Sequence, residues 1–159
     1  MLVGVSVVAG VLVLASGASA AAPRYIMVTG PGLRQPVLLD DWWENLDFMA
    51  AVGHGPSVRA SQLTRRPRFL VSLFWSADVW TQPPTSPEGS EQRGWFYPAY
   101  GKRRAALELV RSSGSLGTRR LATTELLTIL FRHGVPTRCA VNTRNPRACA
   151  RVATVRPAR

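Results

Sequence analysis

The chain has 159 residues, 20 of them basic and 9 acidic, giving a net charge of +11, and 46% of its residues are hydrophobic. That length suits one domain of ordinary size with a core that needs neither a metal nor many disulfides, and two cysteines exclude a disulfide-dense scaffold. The charge is uneven: residues 1–100 carry seven Arg and seven acids, whereas 101–159 carry thirteen basic residues against Glu108 and Glu125 alone. An excess confined to one end points to an anionic partner, although a solvated basic face would look the same.

Met1 to Ala22 carries no charged side chain, and its apolar stretch ends in Ala18-Ser19-Ala20, the small-x-small form that a signal peptidase accepts. Residues 1–22 are therefore expected to be a signal peptide, with an uncleaved membrane anchor as the rival. Tyr25-Ile26-Met27-Val28-Thr29 predicts a strand stopped by Gly30-Pro31-Gly32, and Pro36 to Leu39 a second that pairs with it. Asp41-Trp42-Trp43-Glu44 predicts a helix start with a capping box. Trp42, Trp43, Leu46, Met49 and Ala50 share one face of that helix, and Gly53 would end it. Residues 53–67 show no periodicity and predict a loop.

Phe69-Leu70-Val71-Ser72-Leu73-Phe74-Trp75 predicts the central strand, because both of its faces are largely apolar. Gln82 to Gly94 is too rich in proline for a regular element, and Trp95-Phe96-Tyr97 and Ala105 to Val110 predict two more strands. Thr123 to His133 predicts the second helix, capped by Thr123, ended by Gly134, and apolar along Leu126, Leu127, Ile129, Leu130 and Phe131. From Thr137 the chain is Arg-spaced and irregular apart from a short strand at Arg151 to Val155. The organisation expected is a signal segment (1–22), an α+β domain (23–136) and an Arg-rich tail (137–159). The domain would be a small, mainly antiparallel sheet with two packed helices.

Cys139 and Cys149 are the only cysteines, and in an exported chain they predict one disulfide. Closing their loop stabilises by roughly 2.7 kcal/mol on chain entropy. His133, Cys139 and Cys149 fit no usual zinc spacing, and no cofactor is expected. Gly30-Pro31-Gly32 lacks the third glycine and the following helix of a phosphate loop, and Gly114-Ser115-Leu116-Gly117 lacks the first glycine of a hydrolase elbow. His54 sits between two glycines and would need Asp78 or another carboxylate to act as a base, while His133 fits a helix end bonded to backbone. The candidates for anion contact are Arg119, Arg120, Arg132, Arg138, Arg144, Arg147 and Arg151. Their guanidinium forks suit phosphate and carboxylate, and the tail lacks the interleaved aromatics that nucleic-acid binding would want.

Three stations bear a resemblance to a loose group of exported bacterial proteins: Val28-Thr29-Gly30-Pro31-Gly32-Leu33 with Pro36-Val37, Tyr97-Pro98-Ala99, and His133-Gly134-Val135-Pro136. The resemblance implies a shared exported fold and carries no activity. The expectation is a non-catalytic envelope or secreted protein whose basic surface contacts an anionic polymer or lipid, membrane-attached only through residues 1–22. The rivals are a small hydrolase with a His/carboxylate pair and a scaffold that docks a protein through the Trp42-Trp43 face, favoured if those two rings prove exposed instead of buried.

Overall fold

The apolar run forms strand β3 (Phe69–Phe74), and it lies inside a six-stranded sheet as its two apolar faces require. The computed structural model describes residues 22–76, 82–110, 117–141 and 149–151. Residues 1–21 of the expected signal segment, Asp78 and Ser115 lie outside them.

The sheet runs β2 (Val37–Leu39), β1 (Tyr25–Thr29), β3, β4 (Gln92–Tyr97), β6 (Ala106–Val110), β7 (Arg119–Leu121), and every neighbouring pair is antiparallel. With two helices, this is a small α+β fold. A second, three-stranded sheet joins β5 (Ala99–Tyr100) in parallel to β8 (Arg138–Ala140), which pairs antiparallel with β9 (Ala150–Arg151). The segment after Thr137, expected to hold one short strand at Arg151 to Val155, supplies β8 and β9, and Cys139 in β8 forms a disulfide with Cys149, just before β9, at a Cα–Cα distance of 4.9 Å.

One face of the large sheet presents Ile26, Val28, Phe69, Val71, Leu73, Phe96, Leu107 and Leu109. Helix α1 (Trp42–His54) covers it with Phe48, Ala51 and Val52, and α2 (Thr124–Arg132) with Leu126, Ile129 and Leu130. Each fully buried large side chain contributes about 1.5–3 kcal/mol. Both N-cap residues are as expected: Asp41 accepts from the Glu44 amide at 2.8 Å and Thr123 from the Leu126 amide at 3.2 Å, but the Glu44 side chain does not close the capping box. Past α2, Gly134 takes a left-handed φ of 79° and the Val135 amide donates back to the Leu130 carbonyl, closing the helix end.

Three expectations about these helices need correction. The α1 face is turned: Asn45, Phe48, Ala51 and Val52 are buried, while Trp43 is 71% exposed and Trp42 38%. Asn45 can sit inside because its side-chain amide donates to the carbonyls of Pro23, Arg24 and Leu39. The helix also runs through Gly53 to His54, and Phe131 on α2 is 62% exposed, not packed.

After α1 the chain turns around the β7 edge. The Leu121 amide donates to the Pro56 carbonyl and the Val58 amide to the Arg119 carbonyl. A Cβ at Gly55 would stand 1.9 Å from the Leu121 carbonyl oxygen, so only glycine passes so close to the strand. The stretch expected to be a loop holds a short 3-10 turn at Ala60–Gln62. Leu63 then packs with Tyr97 and Ala106, on the face of the sheet away from the helices. That turn around the edge brings residues 60–68 over β4, β6 and β7.

Candidate functional site

The register of the sheet sets the floor of a cavity of about 700 Å³ beneath residues 60–68. Trp95 pairs with Glu108, and Glu108 with Arg119, so these side chains stand in one row across β4, β6 and β7. Tyr97 lies two residues along β4 on the same face. Arg119 Nε donates to Glu108 Oε1 at 2.6 Å, and the Tyr97 hydroxyl donates to Glu108 Oε2 at 3.0 Å. Both carboxylate oxygens are therefore engaged. Burial raises the Tyr97 pKa above its ordinary value, the Glu108 hydrogen bond and charge add to this, and Arg68 opposes it.

The other wall is basic. Arg65, Arg66 and Arg68 line the cavity together with Leu63 and, from the β1–β2 turn, Pro31. Arg65 has φ 55°, the one non-glycine residue with positive φ among those described. Such a conformation costs roughly 1–2 kcal/mol, a cost often met at ligand sites. Arg66 is 4% exposed and has no acidic partner among the described residues. Its guanidinium donates to the carbonyls of Pro98 at 2.6 Å, Arg104 at 2.7 Å and Gln62 at 3.4 Å, while its Nε has no hydrogen-bond partner. Burial, and then the charge of Arg103, lower the Arg66 pKa below its ordinary value, with Tyr97 acting the other way. Arg68 lies over the Trp95 ring at 4.0 Å, which holds its head in place by cation–π attraction. Four guanidinium groups thus meet a single carboxylate around one cavity.

Of the arginines predicted for anion contact whose side chains are described, Arg119 alone lines this cavity. Arg120 points to the opposite face and donates to the Gly55 carbonyl at 3.0 Å. Arg132 is paired with Glu44 at 2.8 Å, and Arg138 is exposed in β8. Arg151 belongs to β9, and Arg144 and Arg147 lie outside the described residues. Of the four whose side chains are described, Arg119 and Arg120 point to opposite faces of the sheet and Arg132 is held at the helices. Arg65, Arg66 and Arg68 were missed because their charge is cancelled in a sum over residues 1–100. The signal was that no acid occurs between Asp47 and Asp78.

His54 is exposed, whereas the His133 imidazole meets the Glu44 carboxylate and not backbone, which corrects the expectation for that residue. The pair borders a groove of about 860 Å³ between α1 and α2, also lined by Trp43 and Thr128. Thr128 Oγ1 donates to the Thr124 carbonyl at 2.8 Å, as an ordinary helix threonine does. Gly30-Pro31-Gly32 is a turn, with the Leu33 amide donating to the Gly30 carbonyl at 3.3 Å.

Among the described residues no three His, Cys, Asp or Glu side chains are grouped to hold a metal, and no helix is long and apolar enough to cross a membrane. The disulfide fits an oxidising, extracytoplasmic setting. Compared with protein-family models, with curated proteins and with solved structures, the chain has no match in any of the three.

Proposed function

We propose that this is an exported, non-catalytic protein that holds anionic cell-envelope material, polymer or lipid, against arginine side chains. The observation that supports it most is the cavity with four guanidinium groups and one carboxylate, in a chain of net charge +11. The remaining C-terminal arginines add attraction at longer range, which speeds and orients encounter with a negative surface. Residues 1–22 act as the export signal in this reading, and the disulfide agrees with it. Sedimentation with anionic vesicles and with cell-wall fragments tests the proposal. Binding at low salt that weakens as salt rises is expected. No binding, or binding indifferent to salt, contradicts it.

A second reading, a small hydrolase, draws on the Glu44–His133 pair beside the groove. Glu44 would orient the imidazole and His133 would activate a water. His133→Gln should then abolish hydrolysis of a chromogenic ester, and a wild-type protein with no such hydrolysis removes the reading.

A further inference from the structure

The four arginines that line the cavity are not equivalent. The Arg66 fork is spent on the carbonyls of Pro98, Arg104 and Gln62, so it serves as a fixed buried charge. Arg65 and Arg68, on either side of it, are exposed. Arg119 faces them from β7 with Glu108 already on its Nε.

We propose that this cavity is a phosphate-monoester site in which Arg65, Arg68 and Arg119 take the terminal oxygens and Glu108 competes with the ligand for Arg119 and Tyr97. The inference deepens the anion-binding reading above and rests on it.

Three arguments select a phosphate monoester from among anions. The cavity carries four positive groups against one negative, and a dianion offsets more of that excess than a carboxylate does. A monoester presents three terminal oxygens to three guanidinium forks, where a carboxylate presents two. The volume of about 700 Å³ exceeds what a phosphoryl group fills, leaving room for an organic part against Leu63, Pro31 and the Tyr97 ring.

Glu108 is the discriminating residue. Its two oxygens hold Arg119 and the Tyr97 hydroxyl as a bound anion would. A ligand must therefore outcompete an internal carboxylate, which a monoanion does poorly and a dianion better. Glu108→Gln removes the rival charge while its amide oxygen can still accept from Arg119; its NH2 would donate to the Tyr97 oxygen in place of accepting from it.

Calorimetric titration of the full chain with glycerol 3-phosphate, and with acetate at equal concentration, is the test. Vesicles carrying phosphatidic acid or phosphatidylglycerol then separate a lipid headgroup from a soluble ester. Saturable one-to-one binding of glycerol 3-phosphate and little of acetate is expected. Arg65→Gln and Arg68→Gln should each weaken binding about tenfold, and Glu108→Gln should tighten it about tenfold. A preference for phosphatidic acid assigns the site to lipid, and its absence assigns it to the soluble ester. If both kinds of vesicle sediment the protein but glycerol 3-phosphate does not bind, the site is overturned while general anion binding stands. Binding unchanged by all three substitutions, or acetate binding as tightly as the ester, overturns it as well.

Discussion

The His133 imidazole, at the C-cap of α2, meets the carboxylate of Glu44, in the first turn of α1 and 89 residues earlier in the chain. The same carboxylate accepts from Arg132 at 2.8 Å. Glu44 was expected to close a capping box on α1; its amide does bond to Asp41, but its side chain reaches the other helix instead. The contact joins the acidic start of one helix to the basic end of the next, an arrangement both dipoles favour.

Glu44→Gln should therefore lower stability by about 1 kcal/mol, read as the shift in urea midpoint times the slope. The Arg132 side chain is 65% exposed, so its arm of the cluster is screened and Arg132→Ala should cost less than about 0.5 kcal/mol. His133→Gln should account for most of the loss seen with Glu44→Gln. Equal costs for the two basic partners would contradict this order.

Asn45 ties the entry of the chain to α1 through the carbonyls of Pro23, Arg24 and Leu39. Asn45→Ala removes the shared donor from a fully buried position and should cost about 1–3 kcal/mol. Thermal unfolding checks it. Asn45→Asp should cost more, because it buries a charge beside three carbonyl oxygens.

Much of the fold could be read from residue pattern because burial there follows apolarity. β3 shows this most simply, with Phe69, Val71 and Leu73 in the helix-side core and Phe74 packed on the other face. Where polar atoms do the packing, pattern misleads: Asn45 interrupts the buried stripe of α1, and the bulk of Trp42 and Trp43 draws the eye to the wrong face. β4 begins at Gln92, three residues before the apolar Trp95, because Leu73 and Ser72 supply its ladder partners. The arginine cavity was hidden for a different reason. Arg65, Arg66 and Arg68 meet Arg119 only because the chain turns around the β7 edge, and charge summed along sequence cannot report that closure.

Gly94 lies where β4 runs close against β6. A Cβ there would stand 2.2 Å from the Glu108 carbonyl oxygen and 2.6 Å from a Leu109 methyl carbon. Gly94→Ala should push β4 away from β6, destabilise the domain by about 1–3 kcal/mol and weaken anion binding along with it. A Gly94→Ala protein as stable as the wild type would mean that the two strands can separate without cost.

Acid should act through Glu91. Burial raises the Glu91 pKa, but hydrogen bonds from the Ser76 side chain and the backbone amides of Trp75, Ser76 and Glu91 itself outweigh this and hold it below the ordinary glutamate value. Its contribution is then complete above the unfolded pKa and lost as pH falls through the lower folded value. The Tm difference between wild type and Glu91→Gln should be present at neutral pH and close in acid. A difference that grows on acidification would give the opposite sign.

The disulfide is expected to matter for stability more than for the ligand site, since neither Cys139 nor Cys149 lines the cavity. The Cys139→Ser, Cys149→Ser double variant should lose about 2–3 kcal/mol while its affinity for glycerol 3-phosphate stays within about twofold. A large loss of affinity in the folded variant would couple the two sheets in a way the cavity lining does not.

Side-chain NMR during titration with glycerol 3-phosphate reads the central claim most directly. The predicted result is movement of the Nε–H signals of Arg65, Arg68 and Arg119 and of the Trp95 indole, with the Arg132 and Trp43 signals unmoved. Shifts confined to Arg132 and Trp43, or none at any ligand concentration, would contradict it.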